Sequence, residues 1–123
     1  MNVPTRGVSR TRYRDPVPIV EIDVDELAQR LTEGGRLVDV RDPHEYEVGH
    51  VPGAVSVPLS SVPDELEQFR GDGPVFVICH AGGRSRAACE LVADHDIAAV
   101  NVDGGTAAWI ASGRDTVVGV HPS

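Results

Sequence analysis

The residues best suited to chemistry lie in one short segment that begins at Cys79. This thiol follows four consecutive strand-forming residues, Val75 to Ile78, and precedes a Gly-Gly pair, Arg84 and Ser85. Glycines let the backbone curl so that successive N–H groups converge on one point. A helix predicted to begin at Ser85 adds unpaired N–H groups and the positive end of its dipole, and Arg84 adds a permanent cation. Each feature favours the thiolate, so the segment predicts a nucleophilic cysteine with a lowered pKa.

The elements that must position Cys79 alternate between strand and helix along the chain. The strands are continuous apolar runs, which is typical of a parallel sheet covered on both faces. The sequence therefore predicts a single α/β domain with a central, mostly parallel five-stranded sheet and helices on both faces. Ligands bind beyond the carboxyl ends of such strands, where Cys79 lies. The predicted strands are 17–22, 37–40, 54–57, 75–78 and 97–102, and the helices are 24–31 (with Asp23 as N-cap), 42–47, 64–69, 85–95 and 106–111.

Length and composition are those of one globular domain. The chain has 123 residues, of which 41% are hydrophobic and 24% charged, and globular units usually run about 100–200 residues. All 11 basic residues are arginine, which excludes phosphate-binding and Schiff-base lysines. No apolar run approaches the roughly 18 residues of a membrane span, and the polar start of the chain is unlike a secretory signal. Two cysteines fit a reducing compartment, so we expect a cytoplasmic protein with no membrane partner.

Charge is unevenly distributed along the chain. The formal net charge is −8, but residues 1–14 contain four arginines and no acid, and the remainder has seven arginines against 19 acids, a net −12. An acidic body disfavours nucleic acid as a partner, because phosphate binding needs clustered cations. We expect residues 1–17 to form a flexible basic N-terminal arm, residues 18–113 the folded domain and residues 114–123 a C-terminal tail. The oligomeric state is left open.

Four segments of the chain together resemble the rhodanese family of sulfurtransferases. They are the loop from Cys79 to the Arg-Ser pair and the segments 37–42 (LVDVRD), 44–54 (HEYEVGHVPGA) and 102–109 (VDGGTAAW), in the family's order within residues 18–113. The resemblance implies a rhodanese-like domain that transfers sulfane sulfur from thiosulfate or a persulfide to a thiol or cyanide acceptor. The sulfur would pass through a persulfide on Cys79, with no metal and no organic cofactor. Because the acidic body disfavours a dianion, we expect a neutral, protein-borne or low-molecular-weight persulfide to be a better donor than thiosulfate.

The loop would hold the anionic sulfur of this persulfide within a six-residue ring of backbone amides. The predicted substrate-binding residues are His80, Ala81, Gly82, Gly83, Arg84 and Ser85. Four residues separate Cys79 from Arg84, whereas related cysteine-based phosphatases have five and a wider cradle for phosphate. A phosphatase or arsenate reductase is therefore the weaker enzymatic alternative. An alternative of another class is a rhodanese-fold sulfur carrier or regulatory binding module without turnover.

Several neighbouring residues have two possible roles. Arg84 either orients the donor or braces the loop by bonding to backbone carbonyls. His80 either tunes Cys79 or points to solvent, and solvent is favoured. Cys89, about one helical turn beyond Ser85, is either a resolving thiol or, as we favour, a buried packing residue.

Two further groups of signature residues are expected to be structural. At the strand end beside Cys79, Asp39 and Arg41 are expected to form an ion pair and Asp42 to cap the short helix that follows, rather than to line the crevice. His50 and Trp109 are expected to pack within the domain.

Overall fold

The computed structural model describes residues 18–123, so the predicted arm at residues 1–17 lies outside the described residues. Within this range strands and helices alternate. The strands are β1 (Val20–Ile22), β2 (Arg36–Asp39), β3 (Val55–Ser56), β4 (Val75–Ile78) and β5 (Ala99–Val102). The α-helices are α1 (Val24–Thr32), α2 (Pro43–Val48), α3 (Gly83–Ala93) and α4 (Gly105–Ala111). Among the helices of residues 18–123, none is long and apolar enough to cross a membrane.

The five strands form one sheet in the order β1-β5-β4-β2-β3, and every neighbouring pair is parallel. Val77 of β4 pairs with Val38 of β2 on one side and with Asn101 of β5 on the other. β4 is therefore the central strand, and it is buried along its whole length. This arrangement confirms the predicted single α/β domain with a five-stranded parallel sheet.

The hydrophobic core has two layers, one on each face of the sheet. Successive side chains of a strand point to opposite faces. Val75 and Val77 belong to the apolar cluster that includes α3, whereas Phe76 and Ile78 belong to the cluster that includes α1 and α4. Both faces of the sheet are apolar and must be removed from water, so helices cover both, as predicted.

Asp23 is the N-cap of α1, as predicted. The Asp23 carboxylate accepts the Glu26 N–H at 2.9 Å, which satisfies one of the N–H groups left unpaired at a helix start. The helix then buries Val24 and Leu27 against the sheet.

The predicted helix at 64–69 is wrong. Two 3-10 segments, Leu59–Asp64 and Leu66–Phe69, lie there instead. Glu65, between them, has φ −131° and ψ 39°, which is not helical and interrupts the chain. Val62 and Phe69 are both fully buried in the α3 layer. The burial of these two side chains therefore overrides the local helix propensity.

Residues 114–123 contact the loop that follows α2. Val117 and His50 exchange backbone hydrogen bonds of 2.9 and 2.8 Å. The two ring nitrogens of His50 lie 2.8 Å from the Tyr46 carbonyl and 2.9 Å from the His121 carbonyl. These contacts explain why His50 is buried. The predicted domain boundaries stay predictions.

Candidate active site

Cys79 is the first residue after β4, at the carboxyl end of the central strand. The residue is 1% exposed. The Gly82 N–H donates to its Sγ at 3.1 Å, and the Ser85 hydroxyl oxygen lies 3.3 Å from Sγ. The buried thiol therefore lies among hydrogen-bond donors and not among apolar side chains alone.

These donors act on the pKa of Cys79. Burial is the largest single influence and raises the pKa, because a low-dielectric surrounding disfavours charge. The Ser85 hydroxyl and the backbone N–H groups of Ser85, Gly82 and Ala81 lower the pKa, and together they outweigh burial. The pKa of Cys79 therefore lies below its ordinary value, in the predicted direction.

The loop turns sharply at Gly82, where φ is +119°. A residue with a Cβ rarely adopts this left-handed conformation. The turn lets α3 begin at Gly83, two residues before the predicted start at Ser85. Ser85 consequently lies in the first turn of α3, where its N–H has no partner within the helix and is available to Cys79.

Two carbonyl groups of the loop, those of Cys79 and His80, point the other way, towards the start of α4. The Thr106 N–H donates to the Cys79 carbonyl at 2.8 Å, and the Ala107 N–H donates to the His80 carbonyl at 3.0 Å. This approach requires a glycine at Gly105, because a Cβ there would lie 2.5 Å from both carbonyl oxygens. The Gly-Gly pair before Trp109 thus holds the outer side of the active-site loop.

Arg84 forms a two-bond ion pair with Glu45 of α2. The guanidinium nitrogens lie 2.7 and 3.0 Å from the two carboxylate oxygens. The hydrogen bond from Arg84 is the largest cause of the lowering of the Glu45 pKa to about 2. The described hydrogen bonds of Arg84 therefore join α3 to α2, and bonds to loop carbonyls, one of the two roles left open from the sequence, are not among them. Glu45 was not predicted from the sequence as the partner of Arg84.

The predicted substrate-binding residues divide into a rim and a floor. His80, Ala81 and Gly83 are exposed, whereas Gly82 and Ser85 are buried beside the thiol. The exposure of His80 agrees with the solvent-facing role that the sequence favoured. The binding of substrate by these residues stays a prediction.

A buried amide, Asn101, lies next to the thiol network and was missed by sequence reasoning. Its Oδ1 bonds with the Ser85 hydroxyl, and its Nδ2 donates to the Gly82 carbonyl at 3.2 Å and to Glu21 at 2.9 Å. Glu21 also accepts from Arg86 at 2.8 Å. An asparagine in an apolar strand is the only sequence signal that could have indicated this network.

Cys89 is fully buried in the α3 layer of the core. Burial is the main cause that raises its pKa to about 12, so the thiol is protonated at neutral pH. These properties agree with the packing role favoured from sequence. Within residues 18–123, no three His, Cys, Asp or Glu side chains converge to hold a metal ion.

The signature residues beside β2 are structural, as expected. The Arg41 guanidinium bonds both carboxylate oxygens of Asp39, with a shortest distance of 2.8 Å, and also donates to the Gly49 carbonyl at 2.8 Å. Both side chains are buried, and Asp42 is the N-cap residue of α2. Trp109 is buried in the core.

Comparison with known proteins identifies the family of this chain. The family model of the rhodanese-like domain matches residues 23–112. The chain belongs to the rhodanese family. A sulfurtransferase of Allochromatium vinosum is 36% identical to this rhodanese domain over 100 residues, which cover 79% of the chain and 94% of the relative. The family resemblance of the four sequence segments is therefore confirmed, together with a sulfurtransferase-family role.

Solved structures support the same assignment. The crystal structure of a rhodanese-like domain protein from Staphylococcus aureus has a TM-score of 0.70 and 35% identity, and covers 74% of this chain and 91% of its own. A rhodanese-related protein from Thermoplasma volcanium has a TM-score of 0.74 and 27% identity, and covers 83% of this chain and 99% of its own. Both likenesses span nearly the whole of the compared structures, as expected for a single domain of this fold.

Proposed function

We propose that this rhodanese domain is an enzyme that moves sulfane sulfur from a donor to a thiophilic acceptor through a persulfide on Cys79. The observation that carries the proposal is the set of hydrogen-bond donors around the Cys79 Sγ. This sulfur accepts the Gly82 N–H at 3.1 Å and lies 3.3 Å from the Ser85 hydroxyl oxygen. Such donors favour the thiolate, and the thiolate is the form of cysteine that attacks sulfur.

The reaction consists of two thiolate exchanges. In the first, the Cys79 thiolate attacks the outer sulfur of the donor, the S–S bond of the donor breaks, and the remainder leaves as a thiolate or as sulfite. In the second, an acceptor thiolate or cyanide attacks the outer sulfur of the Cys79 persulfide, and Cys79 leaves as a thiolate. Both steps exchange one S–S bond for another bond to sulfur, so they need no metal or organic cofactor.

The active-site loop would stabilise the anionic persulfide between the two exchanges. Its N–H groups face Cys79, while its carbonyl groups at Cys79 and His80 are engaged by α4. The outer sulfur would accept hydrogen bonds from this ring of amides, which are preformed and need no reorganisation when charge arrives. Loss of the ring's geometry should therefore slow both exchanges.

The charges near the loop favour a donor without a double negative charge. Arg84 is the cation nearest in sequence to the thiol, and its guanidinium is already paired with the Glu45 carboxylate at 2.7 and 3.0 Å. The rest of the chain after residue 14 carries a net −12. We therefore propose a low-molecular-weight or protein-borne persulfide as the donor and a thiol as the acceptor. We also propose that the reaction takes place in the cytoplasm, because a chain with only two cysteines fits a reducing compartment.

The decisive experiment is mass spectrometry of the protein after treatment with a low-molecular-weight alkyl persulfide or with thiosulfate. We expect one added sulfur atom on the peptide that contains Cys79, and release of this sulfur as thiocyanate on addition of cyanide. The Cys79→Ser variant should take up none, whereas the matched Cys89→Ser variant should load as the wild type does. Loading of the Cys79→Ser variant, or no loading of the wild type by either donor, would contradict the proposal.

The same experiment distinguishes the enzyme from a carrier or binding module. An enzyme passes the loaded sulfur to an added thiol repeatedly, so the product exceeds the amount of protein. A carrier releases at most one sulfur for each protein molecule. If the product never exceeds one sulfur for each protein molecule with any thiol acceptor tested, the result would favour the carrier or binding module.

A further inference from the structure

Asn101 contacts three elements around the active-site loop and has no part in the reaction steps above. It lies on β5 and is 1% exposed. Its Nδ2 donates to the Glu21 carboxylate of β1 at 2.9 Å and to the Gly82 carbonyl at 3.2 Å, and its Oδ1 bonds with the Ser85 hydroxyl. A buried amide with this many partners has its orientation fixed by them.

The partners allow only one orientation of the Asn101 amide. An ionised carboxylate and a backbone carbonyl can accept hydrogen bonds but cannot donate them. The carboxylate of Glu21 is held ionised, since the hydrogen bond from Asn101 and the adjacent Arg86 lower its pKa. The Nδ2 hydrogens must therefore face Glu21 and Gly82, and Oδ1 must face Ser85 as an acceptor.

This orientation creates a competition for one proton. The Ser85 hydroxyl has a single hydrogen and two neighbours that can accept it, the Oδ1 of Asn101 and the Sγ of Cys79, 3.3 Å away. When Cys79 is a neutral thiol, its S–H can donate to the Ser85 oxygen while the hydroxyl donates to Asn101. When Cys79 is a thiolate, the hydroxyl hydrogen is required at Sγ, and Oδ1 loses its partner.

We propose that Asn101 is a positioning residue that competes with Cys79 for the Ser85 hydroxyl proton and so limits how strongly the thiolate is stabilised. On ionisation the thiol proton passes to water, the hydroxyl rotates from Asn101 to Sγ, and no other covalent bond changes. The limit has a use, because the nucleophilicity of a thiolate falls as its pKa falls. The inference concerns the thiol of the proposed function, but its test reads the titration of the resting protein and needs no sulfur transfer. A failure of this inference can therefore be distinguished from a failure of the proposed sulfur transfer.

The test is the pH dependence of Cys79 alkylation by iodoacetamide, read by mass spectrometry of the Cys79 peptide. With the competing acceptor removed, Asn101→Ala should lower the Cys79 pKa by about half a unit to one unit. Ser85→Ala should raise it, since a donor to the thiolate is lost. Adding Asn101→Ala to Ser85→Ala should then produce no further shift, because the effect passes through the hydroxyl. A raised or unchanged pKa in Asn101→Ala, or an equal shift in both backgrounds, overturns the proposal.

A second measurement uses the wild-type chain and does not depend on the folding of the Asn101→Ala variant. The side-chain amide resonances of Asn101, followed by NMR, should move with pH and share their midpoint with the alkylation of Cys79. In the Ser85→Ala variant this movement should be much smaller, because no hydroxyl hydrogen is then exchanged between the two acceptors. Resonances that stay constant through the titration, or that move equally in both proteins, overturn the proposal.

Discussion

Replacement of Gly105 by alanine should displace the active-site loop, although Gly105 is not part of that loop. Gly105 has φ +58°, and an added Cβ would lie 2.5 Å from the Cys79 and His80 carbonyl oxygens, well inside the 3.0 Å that Cβ atoms respect. These carbonyls accept the Thr106 and Ala107 N–H groups at 2.8 and 3.0 Å, so both bonds must lengthen. The left-handed conformation costs an alanine about 1 kcal/mol, and each weakened bond about 1 kcal/mol more. We therefore expect a loss of about 3 kcal/mol in the free energy of unfolding.

Gly113 provides the matched control, because it has φ +86° and nothing within 4 Å of an added Cβ. Gly113→Ala should lose only the conformational part, about 1 kcal/mol. Urea unfolding followed by circular dichroism measures both losses. The displaced loop should also raise the Cys79 pKa in Gly105→Ala and leave it unchanged in Gly113→Ala. Equal stability losses in the two variants, or wild-type stability in Gly105→Ala, would refute the reasoning.

Three further predictions concern charge, redox behaviour and pH. Glu45→Gln should free the Arg84 guanidinium from its counter-charge and raise kcat/KM for thiosulfate relative to that for an alkyl persulfide. This gain should shrink as the ionic strength rises. An unchanged ratio of the two kcat/KM values would contradict the donor assignment. Cys89→Ser should keep wild-type sulfur transfer and wild-type recovery after peroxide, since burial raises the pKa of that thiol to about 12, and slower recovery would reveal a resolving role. The Cys79 pKa is lower in the folded chain than in the unfolded chain, so the thiolate contributes stability above the unfolded pKa, and this contribution is lost as the pH falls through the folded pKa. Urea unfolding should measure the free energies of unfolding of the wild type and of Cys79→Ser across this pH interval. The difference between the two free energies should become smaller as the pH falls, and a constant difference would refute the linkage.

The features that the sequence predicted well are those whose causes lie close together in the chain. The run from Val75 to Ile78 is apolar throughout, which is how a strand buried on both faces must read. The donors to Cys79 all lie within the six residues that follow it. Asp23 caps α1 from the position next to it. In each case a few neighbouring residues determine the local conformation, so one sequence carries enough information.

The features that were missed depend on contacts between distant positions. Arg84 and Glu45 are 39 positions apart, and with 11 arginines and 19 acids in the chain the residue types do not specify which pairs form. Asn101 lies on β5 and reads as one polar interruption of an apolar strand, because its partners come from β1 and α3. The 3-10 segments were missed because burial of Val62 and Phe69 outweighs local propensity.

An anion site made of backbone amides has a second requirement that is met far from the cysteine. Peptide groups that turn their N–H towards Cys79 must turn their carbonyl groups away from it, and a buried carbonyl without a donor costs free energy. The His80 carbonyl, which shares its peptide group with the Ala81 N–H, accepts the Ala107 N–H of α4. The neighbouring Cys79 carbonyl accepts the Thr106 N–H, and the Gly82 carbonyl accepts the Arg86 N–H and the Asn101 side-chain amide. The Gly-Gly-Trp segment and Asn101 are therefore parts of the same site as the cysteine loop. Substitutions there should change the chemistry of a thiol that they do not touch.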